Sequence, residues 1–160
     1  MVKMNHGVPR EGDAAPDISL VTDAGESFRL SGLKGKNVVL YFYPRASTPG
    51  CTTEACEFRD AAKDFSKFDA VIIGVSPDAP GPQSKFKAKF ELPFTLLCDV
   101  DKTTAQSYGV WKEKNMYGRK VTGIERTTFL IGKDGKIKMI FSKVRPQGHA
   151  AEVLAGLSAL

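Results

Sequence analysis

Apolar positions along the chain follow two rhythms. Val38–Tyr43 and Ala70–Ser76 are continuous apolar runs rich in β-branched and aromatic residues, the pattern of strands buried in a sheet. Shorter strands are predicted over Asp17–Val21, Ser27–Leu30, Thr95–Asp99, Arg126–Ile131 and Ile137–Phe141. Turn signals join two pairs of them into hairpins: Asp23-Ala24-Gly25-Glu26 and Lys133-Asp134-Gly135-Lys136. The second rhythm is helical. Phe58, Ala62 and Phe65 share one face of a helix expected from Thr52 to near Phe68. Phe86 and Phe90 do the same in a short basic helix over Gln83–Phe90. Thr103–Tyr108 reads as a short helix, and Gly148–Leu160 as a terminal one with Val153, Leu154 and Leu157 on its apolar side. Ser31–Lys36 reads as a turn or a single helical turn and Pro77–Pro82 as a Pro-rich loop. Residues 1–12 form a loose polar lead-in, and Gly109–Thr122 is irregular, its Trp111, Met116 and Tyr117 read as packing rather than substrate contact. The helix between Val38–Tyr43 and Ala70–Ser76 makes a right-handed βαβ unit. With no repeat or linker, one α/β domain over residues 1–160 is expected, a central mixed sheet flanked by helices.

The stretch Tyr41–Cys56 concentrates the chemistry. Pro44 cannot extend the buried strand as a central one, having no N–H to donate. Thr48-Pro49-Gly50 then turns the chain into the helix. Cys51 therefore sits in or just before the first helical turn, where unpaired N–H groups and the helix dipole favour negative charge. The thiolate is the nucleophilic form of cysteine, although burial as a small hydrophobe is the ordinary fate of a free one. Cys56 follows five residues later. On an intact helix that spacing puts the Cα atoms roughly 8–9 Å apart, beyond the ~7 Å reach of a disulfide. If Cys51 and Cys56 pair, the first turns must unwind, which suits a redox-cycling bond and not a structural one.

Composition narrows the setting. The chain has 160 residues, 42% hydrophobic and 26% charged, as for an ordinary globular protein. Its net charge of +5 comes from dispersed basic residues, which reads as a solvated surface and not a nucleic-acid interface. No run is long and apolar enough to span a membrane, and Met1–Gly7 lacks a signal-peptide core. Cytoplasmic residence is expected. Three cysteines do not make a secreted disulfide framework.

Pro44-x-x-x-Thr48-x-x-Cys51 resembles the peroxiredoxin active-site pattern. The longer run Phe42-Tyr43-Pro44 to Cys56 is similar to the bacterioferritin comigratory protein / peroxiredoxin Q group. So are Tyr108-Gly109-Val110-Trp111, Met116-Tyr117-Gly118 and Arg126-x-Thr128-Phe129-Leu130-Ile131. The resemblance runs from about Gly12 to the C-terminus. It implies a thioredoxin-like fold with an N-terminal β-hairpin addition, and a thiol-dependent peroxidase acting on hydrogen peroxide and organic hydroperoxides. Cys51 is then the peroxidatic cysteine and Cys56 the resolving one. Thr48 offers its hydroxyl to the sulfur and the peroxide oxygens, and Pro44 shields the sulfur from water. Arg126, with backbone N–H groups around Gly50 and Cys51, meets the charge that moves onto the leaving oxygen. Glu54 either orients Arg126 or favours the helix N-terminus. No metal or cofactor is implied. Thioredoxin or another dithiol is the expected reductant, and a monomer the expected state, with a dimer open.

Departures from the pattern are few. Ser47 stands where relatives often have Asp or Asn, and Cys98 where they commonly have Ser; Cys98 is expected to be a buried bystander. Other members place the resolving cysteine on the next helix near Lys87, where this chain has none. Competing chemistries find less support. A disulfide reductase wants Cys-x-x-Cys, which is absent. His6 and His149 complete neither a zinc motif nor a Cys–His hydrolase site. A holdase or basic nucleic-acid binder rests on charge alone.

Overall fold

The computed structural model describes residues 8–160. Seven strands form one sheet, in the order β2-β1-β5-β4-β3-β8-β9. They are β1 (Ser19–Thr22), β2 (Ser27–Arg29), β3 (Asn37–Phe42), β4 (Ala70–Ser76), β5 (Thr95–Cys98), β8 (Thr127–Ile131) and β9 (Ile137–Phe141). Strands β3, β4 and β5 run parallel, while β8 and β9 continue antiparallel beyond β3. The β1–β2 hairpin adds itself antiparallel to β5. This is the expected mixed sheet with an N-terminal hairpin.

Side-chain alternation along β3 divides the core into two layers. Val39, Tyr41 and Tyr43 face α1 (Pro49–Ser66), α2 (Pro80–Phe90) and α4 (His149–Ser158), packing with Phe58, Phe65, Phe86 and Val153. Val38, Leu40 and Phe42 face the other way, toward Ala105 on α3 (Thr103–Ser107), Tyr108 and Phe129. The strands β3 and β4 are buried on both faces because both layers are apolar.

Five expectations need correction. Helix α1 starts at Pro49 and α2 at Pro80, each earlier than expected, because proline at the first helical position forfeits only an N–H that has no partner there. Gly109–Thr122 is not irregular: β6 (Trp111–Met116) pairs with β7 (Arg119–Ile124) in a separate two-stranded ribbon. Its turn places Tyr117 and Gly118 at φ 54° and 77°, the left-handed pair that a two-residue hairpin turn demands. Tyr117 is fully exposed at its tip, so packing does not describe it. The lead-in is held over its later part: Pro9 is buried and the Gly12 N–H donates to the Ile137 carbonyl at 2.8 Å. Its first seven residues, with His6, lie outside the described residues.

Candidate active site

Strand β3 delivers the chain to the site and a short loop turns it into α1. Ser47 takes the left-handed conformation, φ 66°. Asp78, two residues past β4, receives the Ala46 N–H at 2.7 Å and the Ser76 hydroxyl at 2.7 Å, tying the loop to the sheet. The Thr48 carbonyl accepts the Thr52 N–H at 2.8 Å and starts the helix. Pro49 has no N–H, and those of Gly50 and Cys51 find no acceptor among the described residues. Two free backbone donors therefore stand at the entrance of α1, where the helix dipole adds to their effect.

Cys51 is the third residue of α1 and only 1% exposed. Arg126 reaches it from the residue just before β8. One guanidinium nitrogen donates to Cys51 Sγ at 3.4 Å and the other to Glu54 Oε1 at 2.7 Å. Glu54 follows Cys51 by three residues on α1, so one helix face presents both groups to Arg126. The Arg126 carbonyl, accepting the Val144 N–H at 3.0 Å, fixes the backbone from which the side chain extends.

The Glu54 side chain is fully buried, and its second oxygen has no hydrogen-bond partner. Burial pushes its pKa up to about 7, with Arg126 pulling the other way. Burial also opposes the Arg126 cation, but Glu54 and Cys51 outweigh it and hold the guanidinium pKa above its ordinary value. Arg126 and Glu54 make the contact that the orienting reading of Glu54 requires.

Gly50 makes room for this arrangement. A Cβ there would stand 3.2 Å from Arg126 Nη2 and 3.4 Å from Pro146 Cγ. Gly50→Ala is expected to push the guanidinium aside by a few tenths of an ångström and lower kcat/KM for peroxide about tenfold, less than the ~10²-fold that a full 1 Å misplacement can cost. Steady-state kinetics against a wild-type control would check it.

The remaining candidates sit around this cluster. The Thr48 hydroxyl donates to the Arg45 carbonyl at 2.9 Å, so its one proton is not directed at the sulfur in this state. Pro44 lies exposed on the same loop. Cys56 is half-buried on α1, and Cys51, Cys56 and Cys98 are all free thiols. An unbroken helix from Pro49 to Ser66 keeps Cys51 and Cys56 apart. Cys98 is buried at the end of β5, its sulfur 3.8 Å from the Thr22 carbonyl. Burial first, then Asp23 and Asp78, push its thiol up to about 11, which makes it a poor nucleophile. Lys87 is engaged by Asp23 at 3.3 Å. Asp78 and Pro146 went unnoticed in the sequence because nothing local marks them; their roles come from contacts across the fold.

Comparison with known proteins gives a consistent picture. The model of the AhpC/TSA family matches residues 11–140. Peroxiredoxin Bcp of Bacillus subtilis is 51% identical over 146 residues, covering 91% of this chain and 93% of that protein. Peroxiredoxin Bcp of Escherichia coli is 41% identical over 145 residues, covering 91% and 93%. Among solved structures, the bacterioferritin comigratory protein of Xanthomonas campestris, studied for alkyl peroxide reduction, superposes with a TM-score of 0.88. It shares 40% identity, with 96% of this chain and 98% of that one covered.

Proposed function

This chain belongs to the AhpC/TSA family, in its bacterioferritin comigratory protein / peroxiredoxin Q group, and is a thiol-dependent peroxidase; from that premise we propose that Cys51 is the peroxidatic cysteine and Cys56 the resolving one. The observation that carries the assignment is the Arg126 guanidinium on Cys51 Sγ at 3.4 Å, beside two unpaired N–H groups at the start of α1. A peroxide placed there is attacked at its terminal oxygen by the Cys51 sulfur. The S–O bond forms as the O–O bond breaks, and the departing oxygen takes a proton and leaves as water or an alcohol. Arg126 and the Gly50 and Cys51 N–H groups meet the negative charge on that oxygen. Thr48 joins them by releasing the Arg45 carbonyl, and Pro44 covers the approach.

The Cys51 sulfenic acid then reacts with Cys56. The first turns of α1 unwind, the Cys56 sulfur attacks Cys51 Sγ, an S–S bond replaces the S–O bond, and water leaves. Dithiol exchange restores both thiols, and a thioredoxin-type protein fits that step. Because both cysteines lie on one chain, a monomer suffices. The chain acts as a single domain in the cytoplasm; among the described residues no helix is long and apolar enough to cross a membrane. Hydrogen peroxide and organic hydroperoxides are both accepted.

A thiol count tests the cysteine assignment. One equivalent of hydrogen peroxide is expected to remove two of the three free thiols of the wild type, leaving Cys98. Cys56→Ser is expected to stop at a Cys51 sulfenic acid that a dimedone-type reagent traps. Retention of all thiols would defeat the assignment, and a disulfide to Cys98 would move the resolving role.

A further inference from the structure

Where α1 meets α4, two contacts converge on the segment next to Cys56. The Gly148 N–H, at the left-handed cap of α4, donates to Glu57 Oε1 at 2.9 Å. Helix α4 has no side-chain cap of its own. Glu57 therefore does from α1 what the glutamate of a capping box does within one helix, and its charge suits the α4 dipole. The next residue, Phe58, meets the His149 ring edge-on at 5.7 Å between centroids. His149 is 1% exposed and fixed at both nitrogens, by the Thr128 hydroxyl at 2.7 Å and Glu152 Oε1 at 2.9 Å, with Phe141 on another side at 5.6 Å.

Unwinding residues 51–56 removes the carbonyl acceptors of the following turn, Glu57 to Asp60. That turn then keeps only the bonds its carbonyls accept from residues 61–64 of α1 and its tertiary contacts, and the swing of Cys56 rotates the peptide that joins it to Glu57. We infer that Glu57, anchored through Gly148 to the α4 seat that His149 builds, is a positioning residue for the resolution step: its bond to α4 restrains the unwinding of α1 and so sets the lifetime of the Cys51 sulfenic acid. The inference rests on the Cys51–Cys56 assignment above. Its consequence is chemical. While α1 stays wound, a second peroxide reaches the sulfenic acid; as its O–O bond breaks, one oxygen bonds to the sulfur, the other takes a proton and leaves as water or an alcohol, and the sulfur is oxidised to sulfinic acid.

Rapid-mixing kinetics on full-length wild type, Glu57→Ala, Glu57→Gln and Leu157→Ala separates the steps. Glu57→Ala is expected to form the disulfide roughly 3- to 10-fold faster, the loss of one helix-capping bond. Sulfinic acid yield, read by mass spectrometry, falls in proportion, and the first oxidation of Cys51 keeps its rate. Glu57→Gln retains an acceptor oxygen for Gly148 and is expected to stay within about twofold of wild type. Leu157→Ala opens a gap in the buried far end of α4; it lowers the Tm without speeding the disulfide. An unchanged disulfide rate in Glu57→Ala overturns the inference. So does a Leu157→Ala variant that accelerates as much at equal loss of Tm, which would mean general softening. A wild type that forms no Cys51–Cys56 disulfide is a different failure, that of the cysteine assignment itself.

Discussion

Arg126→Met is expected to lower kcat/KM for hydrogen peroxide by about 10²- to 10³-fold, the usual cost of removing one preorganised donor from a site where charge develops. Methionine keeps length and packing but gives the sulfur and the departing oxygen no cation. The fold is expected to survive, because Glu54, whose pKa burial raises to about 7, takes a proton when its cationic partner is gone. Arg126→Lys is expected to recover little. The guanidinium reaches Cys51 Sγ with one nitrogen at 3.4 Å and Glu54 with the other at 2.7 Å, whereas an ammonium is a single point of charge that serves one of them. Stopped-flow oxidation of Cys51 together with a thermal melt checks this. A folded Arg126→Met enzyme within tenfold of wild type would remove Arg126 from the chemistry.

Cys51 was legible as a candidate because its signal is local: an apolar strand, a Thr-Pro-Gly turn and a helical pattern expected from Thr52, the residue after it. Arg126 was not legible in that way. It is 75 positions downstream, and its place depends on strand register. Antiparallel pairing sets Thr127 opposite Phe42, so the residue before β8 lies beside the loop that leaves β3. Only the family resemblance named it in advance. The β6–β7 ribbon escaped for a different reason. Both of its faces are largely exposed, so burial imposes no alternation of apolar and polar residues, and its turn uses a tyrosine at positive φ where asparagine or glycine would have announced a hairpin. The Glu57–Gly148 bond spans 91 positions between unremarkable residues and has no local trace.

Glu54 carries the other large effect, in stability against pH. Two forces oppose each other on its carboxyl. The Arg126 nitrogen at 2.7 Å favours the anion, while full burial with one unpartnered oxygen favours the acid. Burial prevails, because the guanidinium serves only one oxygen and the other has nothing to replace its water. The folded-state pKa is thus raised, to about 7 from 4.5. Between those values the folded chain holds a proton that the unfolded chain has released. The stabilisation is therefore full at low pH and lost as pH rises through 7, a change of about 3 kcal/mol. Glu54→Gln keeps an acceptor for Arg126 and does not titrate, so other carboxylates cancel in the comparison. Urea unfolding of both proteins from pH 5 to pH 8 is expected to show wild type losing ground to Glu54→Gln as pH rises. A difference that runs the other way would mean that Arg126 dominates and that Glu54 is an anion across the whole range.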